Sequence, residues 1–163
     1  MTDRVDELMA MWRAELPAAL NGTTELTKRI MLLAGELDDA TRRELPELGL
    51  TPAEFDVLAA LRRAGSPYRM KPNELTKALL LSSGGISNVV NHLVAAGLVN
   101  RDADHDDRRG TWVSLTADGA RLAEKAVLAN SAAHADVFAG VPADIITNAT
   151  EALRALAAAR RRR

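Results

Sequence analysis

Apolar residues recur along most of the chain at helical spacing, and in one stretch they alternate instead. Val5, Leu8, Met9, Trp12 and Leu16 form a stripe that stops at Pro17, and Leu26, Ile30, Leu33 and Leu37 form a second that ends before Pro46. Thr51-Pro52-Ala53-Glu54 predicts the start of a third helix: Thr51 caps it, Pro52 suits the first turn, and Glu54 closes a capping box. Its face is Phe55, Leu58 and Leu61, and Gly65-Ser66-Pro67 ends it. Pro72 opens a short helix to Leu80. Ser82-Ser83-Gly84-Gly85 reads as a turn, and a further helix runs from Ile86 to a left-handed stop at Gly97.

Leu98-Val99-Asn100-Arg101 and Thr111-Trp112-Val113-Ser114-Leu115 predict two strands, and the charged stretch 102–110 between them predicts a hairpin tip. Thr116 caps a long helix through about Phe138, and Val141-Pro142 restarts a last helix that ends in the run Arg160 to Arg163. Short helices, a strand, a polar loop and a strand, framed by long helices, predict one mainly α domain with a small β element (α+β).

Composition narrows this picture. In 163 residues, 47% are hydrophobic but only 3% aromatic, so the core is expected to be Ala- and Leu-rich, helix against helix. The absence of cysteine excludes disulfides, thiolate metal sites and thiol redox sensing. The charged start Thr2-Asp3-Arg4-Val5-Asp6 does not fit a signal peptide, and no run of about 18 apolar residues is present, so a cytoplasmic protein off the membrane is expected. His92, His105 and His134 lack ligand spacing, so no metal is expected, and no cofactor either. No phosphate-cradling glycine loop or catalytic constellation stands out, which argues against an enzyme. The terminal arginine run is most simply a solvated helix end, favourable against the helix dipole.

The helix after Ser82 carries the most specific chemistry. Ile86, Val90, Leu93 and Val94 predict its apolar face, while Ser83, Ser87 and Asn91, beside Gly84, Asn88 and His92, line the other at intervals of four. Short side chains that both donate and accept suit base edges in a major groove, and small residues at the N-terminal end permit close approach. An ordinary solvated face would also carry Ser and Asn. Such faces, however, usually carry Lys and Glu, and neither occurs from Ser82 to Asn100. In the hairpin, Asp106-Asp107-Arg108-Arg109-Gly110 places two guanidinium groups at a projecting tip, which suits a narrow minor groove or, equally, a solvated turn.

With Gly97-Leu98-Val99-Asn100-Arg101, Asp107-Arg108-Arg109 and Val113-Ser114-Leu115-Thr116-Ala117-Asp118-Gly119, the chain resembles the MarR-type winged helix-turn-helix regulators. The resemblance implies a homodimer on double-stranded DNA. Residues 1–45 and 117–163 would form the helical dimerisation region and 50–116 the DNA-binding domain, with the helix-turn-helix at 72–97 and the wing at 98–115. The operator would be a pseudo-palindrome with half-sites about one helical turn apart, roughly 34–36 Å. Ser83, Ser87, Asn88, Asn91 and His92 would then face bases, and Arg108 and Arg109 the wing-side backbone or minor groove. Lys71 stands where Ser or Thr would cap the helix opened by Pro72. A cation opposes the dipole there, so a phosphate is its better partner. The net charge of −1 gives DNA binding no bulk support, and residues 69–110 are barely basic, so few phosphate contacts and a modest salt dependence are expected. A winged-helix scaffold for protein partners is the competing function.

Within that family the sequence looks closest to the urate-responsive, PecS-like branch, through Trp12-Arg13-x-Glu15, Glu54-Phe55-Asp56-Val57-Leu58 and 61–69. The resemblance implies a small anionic or aromatic effector, with Trp12 stacking on it, Asp56 as a charged switch and Arg101 pairing with the anion. The branch has an arginine on the recognition helix where this chain has Val89, so a different ligand, or none, is open.

Overall fold

Helix starts follow the capping chemistry their sequences carry. In the computed structural model, which describes residues 3–79, 83–103 and 110–161, the Asp3 side chain accepts from the backbone N–H groups of Val5 and Asp6, at 2.8 and 2.9 Å, to open α1 (Arg4–Glu15). The predicted box at the third helix forms in both directions: Thr51 Oγ1 accepts from Glu54 N, and Glu54 Oε2 accepts from Thr51 N at 2.8 Å. The elements in order are α1, α2 (Thr24–Glu44), α3 (Pro52–Arg63), β1 (Arg69–Met70), α4 (Pro72–Leu79), α5 (Ser83–Ala95), β2 (Val99–Ala103), β3 (Thr111–Leu115), α6 (Ala117–Val137) and α7 (Ala143–Arg160). Short 3-10 turns lie at Pro17–Ala19 and Leu45–Leu48.

Three details depart from the sequence reading. First, α5 starts at Ser83, so Gly84 and Gly85 are helical and not part of a turn. Glycine costs a helix about 1 kcal/mol relative to alanine in its interior, but the first turn has few bonds to lose. Second, the apolar face of α5 is Ile86, Val90 and Leu93 with Val89 half-buried beside them, whereas Val94, expected on that face, is 40% exposed. Third, a two-residue strand, β1, pairs with β3.

The sheet is antiparallel in the order β1-β3-β2. Arg69 lies opposite Ser114, and Val99, Arg101 and Asp102 lie opposite Leu115, Val113 and Trp112. Gly97, at φ 71°, ends α5 as expected: Leu98 N donates to Leu93 O at 2.9 Å and turns the chain into β2. Thr116 Oγ1 accepts from Gly119 N and donates to Gly97 O, which locks the end of β3, the start of α6 and the end of α5 together. A Cβ on Gly119 would sit 1.8 Å from Leu98 O, so this close backbone crossing requires glycine.

One core holds α3, α4, α5, the sheet and α6. Leu45, Leu58, Leu61, Leu75, Ile86, Leu93, Val57, Val90, Val99 and Val113 are fully buried, and Ala123 and Ala126 of α6 join them. The predicted winged region therefore shares its core with α6, one of the framing helices. Among the described residues, no single helix is long and apolar enough to cross a membrane. The bent pair α4–α5 passes that test by composition alone, but its apolar residues Leu75, Ile86, Val90 and Leu93 lie in the core. By contrast, α7 has no buried residue, and Ile145, Ile146, Leu153 and Leu156 are exposed along it.

Candidate nucleic-acid interface

Burial of Ile86, Val90 and Leu93 fixes the roll of α5 on the core, and this leaves Ser87, Asn88, Asn91 and His92 exposed on the opposite face. Ser83 begins the helix, and its side chain lies outside the described residues, as do Arg108 and Arg109 at the expected wing tip. The polar ridge and the wing are joined directly. Arg101, on β2, donates from Nη2 to Asn91 Oδ1 at 2.9 Å, with Ser87 O at 3.5 Å. His92 turns Nδ1 towards Glu54 Oε1, 4.0 Å away at the start of α3.

Lys71 does occupy the position before Pro72. Its backbone N–H donates to Glu74 Oε2 at 2.8 Å, so the carboxylate supplies half of a capping box that no Lys71 side chain could. Its ammonium lies 5.1 Å from the centre of the Trp112 ring, and Arg69 lies 4.4 Å from the same ring. Two cations and one indole thus stand together at the base of the wing. Sequence reasoning assigned no role to Arg69 or Trp112. The available signal was the i, i+2 spacing of Arg69 and Lys71, which places both on one face of an extended segment.

The three residues expected to hold an effector do not come together within one subunit. Asp56 lines an open cleft of about 800 Å³ between α3, α4 and α6, with Phe55, Ala59, Arg62, Leu79 and Val127 among its walls. Trp12 is on α1, away from those walls and 40% exposed, and Arg101 is on β2, bonded to Asn91. Asp56 is solvent-accessible, yet desolvation by the cleft pushes its carboxyl above the ordinary range, and the nearby Asp38 charge adds to the shift. At the rim, Arg62 reaches Glu124 at 3.5 Å and stacks on Tyr68 at 4.9 Å.

A short helix, a second helix with an exposed polar ridge and an antiparallel wing behind it define a winged helix-turn-helix protein. A family model described as the MarR family matches residues 48–110. The HTH-type transcriptional regulator PecS of Dickeya dadantii (strain 3937) is 30% identical over 130 residues, covering 76% of this chain and 74% of that protein. The multiple antibiotic resistance protein MarR of Escherichia coli (strain K12) is 31% identical over 105 residues, 64% of this chain and 71% of MarR. The crystal structure of a mutant MarR from E. coli complexed with operator DNA superposes with a TM-score of 0.70 at 26% identity, over 89% of this chain and 96% of that one. The chain belongs to the MarR family of transcriptional regulators.

Proposed function

We propose that the chain acts in the cytoplasm as a homodimeric, sequence-specific repressor that binds a pseudo-palindromic operator and is released by a small anionic or aromatic effector. The observation that carries the DNA reading is the exposed ridge Ser87, Asn88, Asn91 and His92 on a helix rolled into place by its buried face. In this reading the ridge enters the major groove, and Lys71, with Arg69 and the Trp112 ring, meets phosphate at its edge. Support for the dimer comes from where apolar surface remains. Among the described residues, every exposed large hydrophobic except Val94 lies before 34 or after 126, on the framing helices or the turns that adjoin them.

Support for the effector comes from the cleft at Asp56. It adjoins α4, the first helix of the helix-turn-helix, so a ligand seated there would press on the DNA-binding unit. Arg62 and Arg63 on its lining suit an anion, and burial makes the Asp56 carboxyl harder to ionise than a solvated one. Release requires that the ligand bind the non-DNA-binding arrangement more tightly than the other.

Gel-shift titration against the DNA upstream of the gene tests the reading. The expected result is a sequence-selective complex that weakens with salt and loses base preference in Asn91→Ala. If no such complex forms, the fold serves as a scaffold for protein partners. Thermal-shift screening of purines and aromatic acids tests the cleft: an anion that stabilises the protein equally well in wild type and in Arg62→Ala/Asp56→Ala would place the effector elsewhere.

A further inference from the structure

The contact between Arg101 and Asn91 fixes the orientation of the Asn91 amide. A guanidinium carries only donors, so the atom it meets at 2.9 Å is an acceptor, the amide oxygen, and not the chemically similar nitrogen. The oxygen therefore points back to β2 and the NH₂ group points away from the wing. Ser87 O, one turn earlier on the same ridge, lies 3.5 Å from the same Nη2, so Arg101 rests over the i, i+4 pair whose outer side is exposed. A freely rotating asparagine reads adenine with both ends of its amide, accepting from N6 and donating to N7. The Asn91 oxygen keeps a second lone pair but is turned back to β2, so the end presented outward is the NH₂ donor.

We propose that Arg101 is a positioning residue that makes Asn91 a donor-only reader, so that this position of each half-site selects a base with major-groove acceptors, guanine above adenine and cytosine. Guanine offers O6 and N7 side by side, adenine offers N7 next to its own amino donor, and cytosine offers only an amino donor. This inference rests on α5 being the base-reading helix. It assigns Arg101 to specificity, through a neighbour and without its own base contact.

The test is selection of a duplex pool, randomised over two helical turns, by the full-length wild-type protein and by the variants Asn91→Ala, Arg101→Ala, Arg101→Lys and the double Asn91→Ala/Arg101→Ala. Wild type is expected to select guanine at the position whose preference Asn91→Ala abolishes. Arg101→Ala lowers the guanine-over-adenine ratio there by roughly 5–10-fold, the scale of one groove hydrogen bond, and leaves other positions alone. Arg101→Lys keeps a donor at the oxygen and retains most of the preference. The double variant matches Asn91→Ala, because Arg101 acts only through Asn91.

Three results would overturn the proposal while leaving α5 as the reading helix: adenine selected at that position by wild type, an Arg101→Ala profile identical to wild type, or a uniform loss of affinity with a salt slope smaller by about one per subunit, the mark of a phosphate contact. A different failure, no position altered by Asn91→Ala, would remove the reading itself.

Discussion

Asp56 is the single residue whose environment makes the clearest demand on solution behaviour. Desolvation raises its carboxyl above the ordinary value of 3.8, so the folded chain holds a proton there more firmly than the unfolded chain. Between the two values the native state binds more protons, and stability therefore falls as pH rises through that window and levels off above the folded value. Asp56→Asn removes the term. It should melt above wild type at neutral pH, with the difference shrinking as pH falls through the folded value and vanishing below about 4. A gap in melting temperature that stays constant across this range, or a lower melting point for the variant at neutral pH, would show that burial does not set the behaviour of Asp56.

Gly119 makes the other residue-scale demand. Its neighbour is backbone, Leu98 O and C, which cannot rotate out of the way. Gly119→Ala should cost about 3 kcal/mol or more in urea denaturation, at the upper end of overpacking, with most of the loss felt where α6 meets the wing. The leucine-threonine-x-x-glycine phrase was legible in the sequence as a mark of resemblance, but its reason was not. The contact that demands glycine joins residues 21 positions apart, and local spacing carries no sign of it.

At the scale of elements, what could be read depended on whether the cause was local. The helices at Pro52 and Ala117 and the stop at Gly97 were legible because cap, box and left-handed glycine act within a few residues. β1 was not: two residues have no period, and Arg69 and Met70 are extended because Ser114 and Val113 of β3 pair with them. The α5 face was legible through Ile86, Val90 and Leu93. Its edge was misplaced by one turn position, since Val89 packs inward and Val94 clears the core. As for the site, the ridge on α5 was visible in residue type and spacing, whereas the bond from Arg101 to Asn91 and the stack on Trp112 are tertiary. The short β1 has a consequence of its own, because it carries Arg69 to the wing. Arg69→Ala should lower the log–log salt slope of operator binding by about one per subunit while leaving base preference unchanged. A slope equal to that of wild type would place Arg69 off the phosphate backbone.

For the molecule as a whole, the distribution of apolar surface is lopsided. The core between Leu45 and Ala126 is closed, while α7 buries nothing in its own subunit and still carries Ile145, Ile146, Leu153 and Leu156. Such a helix would be marginal alone in water. Leu153→Asp should therefore leave the fold of the subunit intact and move the protein from dimer to monomer in sedimentation. Operator affinity should fall by about 100-fold or more, because the second half-site is no longer tethered to the first. A dimer that persists would place the interface on other helices.

The placement of the two tryptophans turns the protein into its own optical reporter. Trp12 sits half-exposed on the first helix, and Trp112 has two cations against its ring at the base of the wing. With tyrosine present only once, the emission belongs almost entirely to these two rings at opposite working parts of the molecule. If the wing meets DNA and the first helix meets the partner subunit, as proposed, Trp12→Phe leaves a chromophore whose quenching follows the arrival of DNA, and Trp112→Phe leaves one that follows subunit association. Docking and assembly could then be timed separately, in the same cuvette and without a label.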